Sequence, residues 1–125
     1  TVEIDPASLE IARLNPWSQD LFDNPLIEQI IGHVWDVVET MEDETFTTII
    51  HDPPAFSLAG ELYSGEFYAE LYRVLRWKGR LFHYIGDPDS RTVQRTQRGV
   101  IKRLHDAGFS QVKQKPRAFG VLATK

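Results

Sequence analysis

The chain has 125 residues, 42% of them hydrophobic and 26% charged, with a net charge of −4. This is the profile of one small globular domain spanning residues 1–125, expected in the cytoplasm. Acidic balance argues against a protein that holds nucleic-acid phosphates by bulk attraction. Absence of cysteine excludes disulfides, thiolate metal sites and thiol catalysis. No apolar run approaches the roughly 20 residues of a membrane helix, and no signal-peptide pattern opens the chain.

In chain order, Val2-Glu3-Ile4 reads as a short strand. Asp5-Pro6 starts a helix, since aspartate accepts orphan N–H bonds and proline is tolerated at the first helical position. Leu9, Ala12 and Leu14 give it an apolar face, and it ends before Asn15-Pro16. A loop through Trp17 and Asn24-Pro25 leads to a second strand, Leu26 to Ile31, closed by Gly32. Trp35, Val38 and Met41 predict a short amphipathic helix, and Thr45 to His51 a third strand.

Gly65 to Trp77 carries Phe67, Leu71, Val74 and Leu75 at helical spacing, with Lys78-Gly79 as its stop. Arg80 to Ile85 is a fourth strand and Gly86-Asp87-Pro88-Asp89 a turn. Val93 to Ala107 reads as a helix with Val93, Val100, Ile101 and Leu104 inward and Gly108 ending it. Strands over Gln111–Gln114 and Phe119–Thr124, joined at Lys115-Pro116, close the chain as an antiparallel hairpin. Alternating strands and helices indicate a three-layer α/β domain.

The segment Ile49-Ile50-His51-Asp52-Pro53-Pro54-Ala55-Phe56 concentrates the chemistry. Proline lacks an N–H and fixes φ, so the strand stops near Asp52. The residue before each proline is pushed to extended geometry, which makes a stiff turn. In open parallel sheets ligands sit beyond the carboxyl ends of strands, so an acid fixed there is placed for chemistry. The same segment reads equally as a surface turn after a core strand. His51 is aimed away from Asp52 by strand alternation, and His83 reads as structural, with His83 or Tyr84 on the ligand side as the alternative. The four histidines lack metal-ligand spacing, so no metal is expected. Arg91, Arg95, Arg98, Lys102 and Arg103 read as a solvated helix face, with an RNA or anion site as the alternative.

Taken in order, these segments resemble the class I S-adenosylmethionine-dependent methyltransferase superfamily, near its spermidine-synthase-like branch. Val2-Glu3-Ile4-Asp5-Pro6 resembles the family's second strand, Ile49 to Phe56 its fourth-strand motif, and Leu62-Tyr63-Ser64-Gly65-Glu66-Phe67-Tyr68 the helix that follows. Val74-Leu75 with Lys78-Gly79-Arg80-Leu81 resembles the approach to the fifth strand, and Gly108-Phe109 with the hairpin completes the pattern. The resemblance implies a Rossmann-like, mostly parallel sheet with a C-terminal antiparallel hairpin. It implies S-adenosylmethionine as cofactor, held by Glu3 on the ribose hydroxyls, by Ile4 under the adenine, and by Gly32, His33, Val34 and Asp52. Asp5 is better explained as a helix cap. Catalytic roles fall on Asp52, Pro53, Pro54 and Phe56, with Phe56 offering an aromatic face to a planar or cationic group.

Two departures qualify the match. His33 stands where the family has an acid for the adenine amino group, and Ala55 where an Asp-Pro-Pro-Tyr motif has its aromatic, so no nucleobase acceptor is carried over. Tyr63 and Tyr68 read equally as packing or substrate contacts. No pair of glycines forms Gly-x-Gly, so the chain is expected to begin at the family's second strand, without the first strand and its glycine loop. A strand from upstream residues or from a second copy is then expected between Val2–Ile4 and Thr47–His51. Three functions remain open: a methyltransferase with unknown acceptor, a degenerate binding or assembly module, and an aminopropyltransferase.

Overall fold

The computed structural model describes residues 1–87 and 89–125. The chain divides into two compact units, Thr1–Thr40 and Met41–Lys125. The strands form two sheets, one of order β1-β2 and one of order β3-β4-β6-β5.

In the first unit, β1 (Val2–Glu3) pairs in parallel with β2 (Ile30–Ile31). Helix α1 (Pro6–Arg13) starts where the sequence predicts, with Asp5 Oδ1 accepting from the Ala7 N–H at 2.9 Å. The expected loop from Trp17 contains a 3-10 turn, Pro16–Ser18, and a single helical turn, α2 (Asp20–Asp23). The second strand is far shorter than the expected 26–31. Asn24 Oδ1 accepts from the Leu26 N–H and its carbonyl from the Ile27 N–H, so residues 24–27 are committed to a turn. Helix α3 covers Val34–Glu39 and stops before Met41. The helical turns and the 24–27 turn are closed by bonds a few residues apart, whereas the β1–β2 pair joins Val2 to Ile30.

The second unit is built on longer pieces. Strand β3 (Phe46–His51) runs parallel to β4 (Leu75–Tyr84) and forms the edge of the sheet. Helix α4 (Gly65–Val74) is capped by Ser64 Oγ, which accepts from the Phe67 N–H at 3.0 Å. It ends three residues before the predicted Trp77, and the reason is the sheet. Leu75 already pairs with Phe46, and Arg80 with Thr48, so Arg76–Gly79 bulge out of the ladder. Lys78 there takes φ 63°, and Arg76 Nε donates to the Glu44 carbonyl. The apolar spacing of Leu71, Val74 and Leu75 suits a helix face and a strand start alike.

Helix α5 (Arg91–Asp106) starts two residues before the predicted Val93 and is followed by Gly108 at φ 103°. Val100 and Leu104 are buried as expected, Val93 and Ile101 are half-buried, and Gln97 joins the buried face unforeseen. In the turn expected at Gly86–Asp89, Asp87 Oδ1 accepts from the Asp89 N–H, while Pro88 lies outside the described residues. Strands β5 (Ser110–Lys115) and β6 (Gly120–Thr124) make the closing hairpin. Strand β6 also pairs antiparallel with β4, with His83 opposite Val121. Gly120 is required here, because an added Cβ would collide with the His83 carbonyl oxygen.

Leu81, His83, Val121 and Ala123 are buried on one face of this sheet, with Phe67, Tyr68 and Leu71 of α4 and Val100 and Leu104 of α5 completing the core. On the opposite face Ile50 is 76% exposed. No helix among the described residues is long and apolar enough to cross a membrane.

Candidate functional site

Strand β3 delivers Asp52 at its carboxyl end, and the two prolines turn the chain away, as the sequence predicts. Asp52 is exposed and Phe56 is 49% exposed, so the structure brings an accessible carboxylate and a half-open aromatic ring onto one short turn. The turn is tied at its neck. Tyr63 Oη donates to the Pro54 carbonyl at 3.0 Å, and His51 Nε2 donates to the Leu62 carbonyl at 3.0 Å. Phe56 packs edge-on against Tyr63, with ring centroids 5.4 Å apart. Tyr63 is 2% exposed and Tyr68 fully buried, so both are packing residues rather than open surface.

Behind the turn lies a pair that sequence reasoning treated one residue at a time. The β3–β4 register places His51 beside His83, and their rings stack at 4.5 Å with 23° between planes. His83 Nδ1 donates to the His51 carbonyl at 3.3 Å, which leaves Nε2 to accept from the Tyr68 hydroxyl at 3.2 Å. Both rings are buried among Tyr63, Phe67 and Tyr68. Burial pushes the His51 pKa down to about 4, partly countered by its bond to Leu62. Burial, followed by the neighbouring His51, pushes His83 down to about 3. These imidazoles are neutral at neutral pH, with fixed tautomers. Burial, and then the Asp52 carboxylate, raises the Tyr63 hydroxyl. Two apolar-His pairs, Ile50-His51 and Phe82-His83, at the ends of adjacent parallel strands were the available signal.

The basic face of α5 is not uniform. Arg91, Arg95 and Arg98 are exposed as expected, and Lys102 pairs with Asp106 at 2.6 Å. Arg103 departs from it: its Nε donates to the Tyr63 carbonyl at 2.6 Å, tying the end of the loop to the helix.

In the first unit, the ends of β1 and β2 bring the other predicted residues together. The Gly32 N–H donates to the Glu3 carbonyl at 2.9 Å, so Glu3 and Ile4 lie beside Gly32, His33 and Val34. Glu3 Oε1 accepts from the Asp5 N–H at 2.9 Å, while Asp5 caps α1. Ile4 is 61% exposed. An open apolar side chain beside a carboxylate with remaining lone pairs fits a nucleoside in which hydroxyls and a flat base sit side by side.

No family model matches the sequence. An uncharacterized protein of Methanocaldococcus jannaschii is 48% identical over the whole of this chain, which covers 43% of that protein. A polyamine aminopropyltransferase of Sulfurisphaera tokodaii is 31% identical over 80 residues, 61% of this chain and 27% of that one. The chain thus spans less than half the length of the curated relatives it matches. Among solved structures, a spermidine synthase in complex with the transition-state analogue AdoDATO superimposes with TM-score 0.82, at 22% identity, over 99% of this chain and 45% of that chain. A SAM-dependent methyltransferase of Archaeoglobus fulgidus gives TM-score 0.69 at 10% identity, over 99% of this chain and 74% of that chain. The chain therefore has the Rossmann-like α/β fold that SAM-dependent methyltransferases share with spermidine synthase.

Proposed function

We propose that this chain is part of the catalytic domain of an S-adenosylmethionine-dependent methyltransferase. The observation that carries the reading is a carboxylate at the carboxyl end of a parallel strand, held by two prolines and two neck bonds, where a pure scaffold needs no fixed acid. When bound, the cofactor would supply a methyl group on an electron-poor sulfonium. Glu3 accepts hydrogen bonds from its ribose hydroxyls, and Ile4, with Gly32, His33 and Val34, borders the adenine. His33 offers a ring nitrogen where an acid would offer a carboxylate. Asp52 orients the acceptor's nucleophile and takes its proton, while Pro53 and Pro54 hold the carboxylate in place. Phe56 lends its ring face to a flat or positively charged acceptor.

The match to a polyamine aminopropyltransferase favours aminopropyl transfer as the second reading. A binding or assembly module is the third outcome. One experiment separates them: incubation of the protein with methyl-labelled S-adenosylmethionine, or with decarboxylated S-adenosylmethionine and a diamine, before and after Asp52→Ala. Methyl transfer lost in Asp52→Ala supports the first reading, and aminopropyl transfer the second. Cofactor binding without either reaction supports the module. Methyl transfer unchanged by Asp52→Ala overturns the role of Asp52.

A further inference from the structure

We propose that Tyr63 is a positioning residue that holds the Asp52 turn in register with the core, an inference that rests on the reading of Asp52 as the reacting carboxylate. The loop from Asp52 to Leu62 leaves β3 and returns to the start of α4, and prolines 53 and 54 have no N–H with which to anchor its first half. The Tyr63 hydroxyl supplies the missing tie by donating to the Pro54 carbonyl across nine residues. Its ring is gripped on three sides. Phe56 meets it edge-on at 5.4 Å, His83 lies tilted at 5.0 Å, and His51 at 6.4 Å. Its carbonyl is held by Arg103 Nε at 2.6 Å. A residue fixed at ring and backbone by the core can set where its hydroxyl, and hence Pro54, stands. Asp52 and Phe56 flank that carbonyl by two residues on either side, so one bond governs both.

The test is Tyr63→Phe, which keeps every ring contact and deletes only the donor. Amide exchange of Leu58 and Ala59, whose N–H groups bond the Ala55 carbonyl, should quicken about fivefold, the factor expected for one net hydrogen bond. Chymotryptic cleavage after the exposed Phe56 and Leu58 should quicken to match, while exchange in Val100–Leu104 stays unchanged. In protein that transfers methyl groups, kcat should fall with the KM for cofactor unaltered. Unaltered exchange and cleavage in the loop would overturn the proposal. Equal acceleration in the loop and in α5, or an equal loss in kcat and in cofactor KM, would overturn it too, by making Tyr63 a stability residue. Wild-type protein with no transfer activity would instead sink the transferase reading and leave loop exchange to decide the positioning.

Discussion

Residues 1–40 and residues 41–125 solve the problem of holding a shape in opposite ways. Of the buried apolar side chains described, only Val38 belongs to the first unit, and the second has the rest. The first unit has strands of two residues, paired from Val2 to Ile30, helical turns capped by Asp5 and Asn15, and a turn closed by Asn24 on its own neighbours. The second joins segments 30 or more residues apart, as where Arg73 reaches the Met41 carbonyl and His83 the His51 carbonyl. Charge divides the same way: one arginine against eight acids in 1–40, thirteen basic residues against ten acids in 41–125. Local bonds make recognisable elements but little cooperativity. Burial makes the cooperative unit.

The comparison breaks if truncation costs the same in both places. Phe67→Ala, at a fully buried site of α4, should lower stability by about 3–5 kcal/mol, measured by urea unfolding. A cost under 1 kcal/mol would mean that the second unit is not the stabilising core.

Acid should act next, and through the second unit. The folded-state pKa values of His51 and His83 lie near 4 and 3, below the ordinary 6.5, so the unfolded chain takes up protons that the folded chain refuses. Stability is therefore complete above pH 6.5 and falls as pH drops towards 4, by up to about 1.4 kcal/mol per pH unit for each histidine. Unfolding midpoints between pH 7 and 5, where most carboxylates stay ionised, check this. A flat profile would refute burial of the pair.

Two smaller effects sharpen the contrast. Asp5→Ala should cost about 1 kcal/mol and be felt as fraying of α1 by amide exchange rather than as global unfolding. Trp17→Ala, at a side chain 93% exposed, should change global stability by less than about 0.5 kcal/mol. A loss of 2 kcal/mol or more at Trp17 would reveal a core contact for the first unit.

How much of this was legible follows from the same division. The Asp5 cap, the Asp-Pro-Pro stop, the Gly108 stop and the closing hairpin were readable because each is set by the backbone chemistry of residues close in sequence. Strand 26–31 was misread because the Asn24 side chain outweighed the apolar run that follows it. The end of α4 was misread because Leu75 is claimed by Phe46, which no local pattern announces. Asp52 and its prolines were visible as a candidate site. The histidine stack and the Tyr63 and Arg103 ties were not, since they depend on strand register and on residues 9 to 40 positions apart.

The strand order carries a consequence in time. Strand β6 follows β4 and β5 in sequence, yet it lies between them in the sheet. A chain emerging from the ribosome can form the β3–β4 pair early, but β4 keeps an open edge and β5 has no partner until residues 120–124 are made. The β4–β6 and β5–β6 pairs form only when β6 inserts between its neighbours. Until then the buried face of β4, with Leu81 and His83, lacks Val121 and Ala123. During that interval the nascent chain is most exposed to wrong pairing.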